Sequence, residues 1–179
     1  PEECKAYERL GMYYVLCSDY QKAIAMLHKA TDLKSSSPTS YRLLAMYLDI
    51  QGKPDEADEV FRIALDCCND DADLFEEYGL YLKRHDQLER ALEFFFQSLE
   101  LRPRNPWLFV HIGSTYLDLS ESNAERARAY LQEAERIDRG DQAAKAAARC
   151  LMQIDSPTDF QNFEATYDMI EQGQLRKAR

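Results

Sequence analysis

The residues that could carry chemistry in this chain of 179 residues are three histidines, five cysteines and a short acidic cluster. A metal centre or a cysteine nucleophile needs imidazole, thiolate and carboxylate groups converging at ligand spacing. His28, His85 and His111 do not provide it, because they fall at three different positions of the helical pattern described below. Cys4, Cys17, Cys67, Cys68 and Cys150 include one adjacent pair but no CxxC pairing and no zinc-like spacing. Pairing His111 with a thiol as its base fails because no cysteine lies at a matching position. Asp70, Asp71 and Asp73 look like the start of a calcium loop, yet the central glycine and terminal glutamate are missing. A helix cap with first-turn acids opposing the macrodipole explains them better. No nucleophile elbow, HExxH, phosphate loop or dinucleotide fingerprint is present. The expectation is therefore no catalytic residue, no metal and no cofactor.

The elements that carry these residues read as helices throughout. Six Gly and six Pro are few for a sandwich or barrel, whereas 45% apolar content suffices for a sizeable core. Good helix formers dominate, and the composition leans all-α. The net charge of −10 is concentrated between Lys53 and Glu100, where fourteen acids face five Lys and Arg. Such a belt repels phosphate backbones and anionic lipid, which argues against nucleic acid and membrane surfaces as partners. It reads as a solvated outer face, with attraction of a basic partner as the alternative. The odd cysteine count suggests buried thiols in a cytoplasmic or other reducing compartment. No apolar run approaches a membrane span, so membrane insertion is not expected. The chain opens on Pro1 without an initiator methionine, which suggests a piece of a longer protein, an attached enzyme included.

A repeat organises the pattern. Leu10-Gly11, Leu44-Ala45, Tyr78-Gly79 and Ile112-Gly113 recur every 34 residues. Ala23, Ala57 and Ala91 follow twelve residues after each small residue, and Ala127 follows after fourteen, so the last unit holds two extra residues in its turn. Tyr7, Tyr41, Phe75 and Phe109 open the first helices, while Leu27, Phe61, Phe95 and Leu131 follow the alanines by four. Ala30, Ala64, Ser98 and Ala134 are small, and prolines punctuate the units at Pro38, Pro103 and Pro106. Alternating large and small residues let two antiparallel helices interdigitate, and each pair leaves a face for the next pair to bury.

This series resembles the tetratricopeptide repeat family, most closely at Tyr7-x-x-Leu10-Gly11-x-x-Tyr14 and Ile112-Gly113-x-x-Tyr116. The second unit departs most, with Leu48 in the tyrosine slot. The resemblance implies an all-α fold, a right-handed superhelical array of antiparallel helix pairs, or α-solenoid. Its four units run over about 4–37, 38–71, 72–105 and 106–141. Residues 142–179 add a capping helix, an amphipathic helix and a basic tail. In that last segment Ser156-Pro157-Thr158-Asp159 is a helix start, Phe160, Phe163, Tyr167 and Ile170 form a stripe, and Arg176, Lys177 and Arg179 form the tail. The stripe either caps the array or docks in a groove, its own or another copy's, which allows self-association.

The resemblance further implies a concave groove lined by the first helices. One column holds Met12, Met46, Leu80 and Ser114, and the column one turn earlier holds Glu8, Arg42, Glu76 and Val110. Lys83 belongs to a third column, and Trp107 stands at the rim as the single tryptophan, either an anchor or a packing residue against the previous repeat. Met is soft enough to fit an apolar or helical segment, with Arg42, Glu76 and Lys83 adding charge. The lysine and asparagine clamp that holds chaperone-tail carboxylates in one subfamily is absent, since Glu8, Met12, Leu43, Asp73 and Glu77 occupy its positions. The expected function is a non-catalytic protein-interaction scaffold or adaptor binding a peptide or helix, amphipathic or partly basic. A chaperone shielding a hydrophobic client, and a regulatory region of a larger enzyme, are the alternatives.

Overall fold

A computed structural model describes residues 2–33 and 37–156 of the chain. Among them the helices are α1 (Glu2–Leu16), α2 (Tyr20–Asp32), α3 (Pro38–Ile50), α4 (Pro54–Cys67), α5 (Ala72–Arg84), α6 (Leu88–Leu101), α7 (Pro106–Leu119), α8 (Ala124–Asp138) and α9 (Gln142–Asp155), with a short 3-10 turn at Glu121–Asn123. The chain divides into two compact units, Pro1–Arg102 and Pro103–Arg179. The phenylalanine stripe and basic tail expected after Ser156 lie outside the described residues.

Helix starts follow from local chemistry. Asp19 and Asp71 cap α2 and α5 by accepting from the Lys22 and Leu74 amides, and Asn105 accepts from the Trp107 amide ahead of α7. Proline occupies the first turn of α3, α4 and α7, where its missing N–H costs nothing. Asp71 is thus the helix cap that the acidic cluster suggested.

The turns inside the first three pairs share one geometry. Ser18, Gly52 and Asp86, each 34 residues after the last, adopt left-handed φ of 58°, 75° and 58°. The amides of Asp19, Lys53 and Gln87 then reach back to the Tyr14, Leu48 and Leu82 carbonyls at 2.9, 3.0 and 2.9 Å, closing the preceding helix. In the fourth pair the two additional residues replace this closure. Ser120 is extended there, and residues 121–123 wind into the 3-10 turn instead.

Each pair is held by a small residue facing a bulky one. A methyl added at Gly79 would stand 2.6 Å from the Phe95 ring, and at Gly113 2.7 Å from Leu131; Gly11 meets Leu27 in the same way. Leu27, Phe95 and Leu131 are accordingly fully buried. The far ends of two pairs are tied by equivalent hydrogen bonds with the donor exchanged. The Cys4 thiol donates to the Ala30 carbonyl at 3.4 Å, and the Ser98 hydroxyl donates to the Ala72 carbonyl at 2.7 Å.

In the first unit, successive pairs also meet through aromatic rings. Tyr20 stacks on Tyr47 at 5.3 Å, and Phe61 contacts Tyr78 and Tyr81 at 4.9 and 5.3 Å. Phe94 joins this cluster against Tyr78 and Phe75, while Phe95 takes the core position. In the second unit α9 packs on α8 and α7 through Ala143, Ala144 and Ala147. Short side chains let its backbone approach closely, and Asp138 accepts from the Ala144 amide at 2.9 Å to fix its start.

Candidate partner-binding face

The first unit presents Met12, Met46 and Leu80 from α1, α3 and α5, with Met12 exposed and the other two half-buried. One helical turn beyond the two methionines stand Leu16 and Ile50, 85% and 69% exposed. The sequence expectation followed the methionine column and missed these two. Their own 34-residue spacing was the signal, because a large apolar residue recurs there and both copies are left exposed.

Toward α5 the same face becomes charged. Asp49 accepts from Arg84 at 2.9 Å and pairs with His85 Nε2 at 2.7 Å. Burial raises the Asp49 carboxyl, but the His85 and Arg84 hydrogen bonds outweigh it and hold the group below its ordinary value of 3.8. Lys83 is half-buried beside this cluster in sequence. The face therefore passes from apolar on α1 and α3 to a tied acid–base group between α3 and α5.

The Glu8 column behaves differently from the expectation of open groove residues. Glu8 accepts from the Ser37 and Ser40 hydroxyls at 3.2 and 2.9 Å, and Arg42 reaches Asp73 at 3.6 Å. These residues join one first helix to the next. Asp73 also accepts from Arg102 at 2.5 Å, and that hydrogen bond is the main cause of its lowered pKa. Glu76 is half-buried, with its charge acting on Arg102. Arg42 keeps a buried Nε without a hydrogen-bond partner.

In the second unit Val110 is only 6% exposed and packs with Leu131, Ala134, Ala143 and Ala147. It is a core residue with no surface left for a partner, because α9 covers the seam that its column marks. Ser114 is half-buried and donates to the His111 carbonyl of its own helix at 3.1 Å. Trp107 is 41% exposed and stacks on His111 at 6.0 Å, so its ring is held on α7 with one side accessible.

The expected burial of the thiols holds for Cys4 and Cys68 but not for Cys17 and Cys67, which are exposed; Cys150 is half-buried. Cys17 opens the turn that follows α1, and Cys67 is the last residue of α4. Among the described residues no three His, Cys, Asp or Glu converge as a metal site, and no helix is long and apolar enough to cross a membrane.

Comparison with known proteins agrees with this architecture. Residues 5–37 match the tetratricopeptide repeat family, and residues 41–176 match the family described as the cilia and flagella-associated protein 70 middle TPR-like domain. The type IV pilus assembly protein PilF of Pseudomonas aeruginosa is 24% identical over 97% of this chain and 68% of its own. A solved structure from work on the functional characterization of that PilF has a TM-score of 0.73 over 96% of this chain and 77% of the other. YrrB, described as a TPR protein with an unusual peptide-binding site, has a TM-score of 0.68 at 25% identity, covering 82% of this chain and 74% of its own. MamA from Desulfovibrio magneticus RS-1, residue 41 to the end, has a TM-score of 0.75 at 15% identity, covering 99% and 98%. Helix pairs in 34-residue register, small residues under bulky ones and these matches together make the chain a member of the tetratricopeptide repeat family, with an all-helical α-solenoid fold.

Proposed function

We propose that this chain is a non-catalytic adaptor whose first unit holds an amphipathic segment of a partner protein on the face formed by α1, α3 and α5. The observation that carries this reading is the joint exposure of Met12, Leu16 and Ile50 beside the half-buried Met46 and Leu80. Large apolar side chains grouped on one face mark an interaction surface more often than scattered ones do. Covering four of them contributes on the order of 6 kcal/mol. Association costs about as much, so the partner also uses the charged groups toward α5. Lys83, Arg84 and Glu76 provide both signs there, which suits a segment that is apolar at one end and charged at the other. Taken by itself, the second unit keeps Trp107 exposed and Val110 buried. The acidic stretch from Lys53 to Glu100 supports a protein partner over nucleic acid.

A client-shielding chaperone is the second reading, favoured by the extreme exposure of Leu16. Peptides selected on the chain from a random display library separate and test these readings. Amphipathic peptides with a defined charge pattern support the adaptor, and purely apolar peptides without sequence preference support the chaperone. Substituting Leu16→Glu together with Ile50→Glu should weaken the selected peptides at least about tenfold while leaving helicity unchanged. Unaltered affinity in that variant defeats both readings.

A further inference from the structure

We propose that the cleft between α2 and α4 receives an arginine side chain from a basic segment of a partner protein. The cleft is a cavity of about 230 Å³, floored by Tyr41, Leu44 and Leu48 of α3 and rimmed by Asp32, Glu56 and Glu59. That volume is below the roughly 300–1,000 Å³ of sites that take whole small molecules, so a single large side chain is the fitting occupant. Its floor is apolar and its rim is acidic. Arginine is built in the same order, with an aliphatic stem that packs on apolar surface and a charged head that stays at the edge. Glu56 pairs with Lys53 at 2.9 Å, whereas Asp32 and Glu59 have no hydrogen bond or ion pair among the described residues. Among those residues the lining carries no lysine or arginine.

The following cleft of the same unit, between α4 and α6, shows what such a place accommodates. Moving 34 residues along the chain replaces Val60 with Phe94 and Glu56 with Arg90. Phe94 packs on Tyr78 and Phe75, the equivalents of Leu44 and Tyr41, at 4.6 and 6.2 Å. The Arg90 guanidinium lies over the Tyr78 ring at 5.9 Å and donates to its hydroxyl at 2.9 Å. There α6 itself supplies both bulk and cation. In the α2–α4 cleft the shorter Val60 leaves the space open, and Glu56 puts a carboxylate where the other cleft has a guanidinium. An arginine from outside brings bulk and positive charge together, with several planar donors for the rim carboxylates. The wider cleft beside it, about 770 Å³, already holds Arg62 and Arg90 among its acids. Ile63, 45% exposed, lines both clefts, so the residue next to the arginine is apolar. The site is made from α2, α3 and α4 and shares no residue with the face of Met12, Leu16 and Ile50.

The test titrates the isotopically labelled chain with the blocked tetrapeptide acetyl-Ala-Arg-Leu-Ala-amide and follows amide shifts by NMR. Saturable shifts should gather at His28, Asp32, Glu59 and Ile63, with a dissociation constant on the order of 1 mM for so short a probe. The same peptide with citrulline, which keeps the shape of arginine without its charge, should bind at least about tenfold more weakly. Val60→Phe with Glu56→Arg rebuilds the α6 arrangement in α4 and should abolish the shifts without lowering the thermal midpoint. Asp32→Asn with Glu59→Gln changes two exposed positions and should weaken binding about tenfold even where the first variant folds poorly. Leu16→Glu with Ile50→Glu should leave the shifts in place, which keeps this site distinct from the proposed peptide face. Shifts absent at about 10 mM peptide, or equal binding of the citrulline peptide, overturn the proposal. So does binding that survives Val60→Phe with Glu56→Arg, and so do shifts confined to the α1–α3–α5 face.

Discussion

The two units close their helix seams by different chemistry. In the first unit consecutive first helices are joined by polar bonds, Glu8 to Ser37 and Ser40, then Arg42 to Asp73 and on to Arg102. In the second unit the equivalent column holds Val110, sealed by the alanines of α9. The bulky-on-small packing inside each pair is the same in both. The difference teaches that a repeat can keep its internal packing while the seam to its neighbour changes from ionic to apolar. An apolar seam buries a position completely, whereas a polar seam leaves its members partly in solvent.

The common packing should be the most costly feature to break. Phe95→Ala empties the site over Gly79 and should lower stability by about 4 kcal/mol in denaturant unfolding. A loss below about 1 kcal/mol would mean that neighbouring rings collapse into the space. Breaking the apolar seam comes next. Val110→Asp places a charge among Leu131, Ala143 and Ala147 and should cost about 3 kcal/mol, with α9 losing protection from amide exchange. Retained protection of α9 would show that its alanines hold without Val110.

The polar seam should respond less. Arg42→Ala removes a partly exposed ion pair at 3.6 Å and should cost under about 1 kcal/mol, because solvent screens it. A larger loss would make the first unit as dependent on its seam as the second. Smallest is the acid response of Asp49. Its pKa is depressed in the folded chain, so its contribution is present above its ordinary value of 3.8 and fades as pH falls through the lower folded value. The midpoint should fall in that window, and Asp49→Asn should flatten the fall. At the alkaline end Tyr41, Tyr78 and Tyr81 of the first unit are pushed up to about 12, chiefly by burial. Their contribution is full below pH 10 and lost as pH rises through about 12, and phenolate absorbance should show these tyrosines titrating late.

Much of this was legible in the residues and some was not. Gly79 facing Phe95 and Gly113 facing Leu131 follow from periodic small and large types, because helix pairs pack only when one side makes room. The cap at Asp71 and the two-residue enlargement of the last turn were also readable, since both depend on neighbours in sequence. The repeated left-handed turn was not, because Ser18, Gly52 and Asp86 share a conformation without sharing a residue type. Only glycine announces that geometry by itself.

Sequence by itself determined the repeat length, the helix pairs and which residues lock each pair, all of which rest on spacing along one chain. Tertiary structure decided what each exposed-looking column does. Val110 sits in the same register as Arg42, yet it is buried because α9 lies on it. Leu10 sits in the same register as Leu44, yet it is exposed where no described second helix covers it. Burial depends on what arrives at a face from elsewhere in space, and a 34-residue period is blind to that.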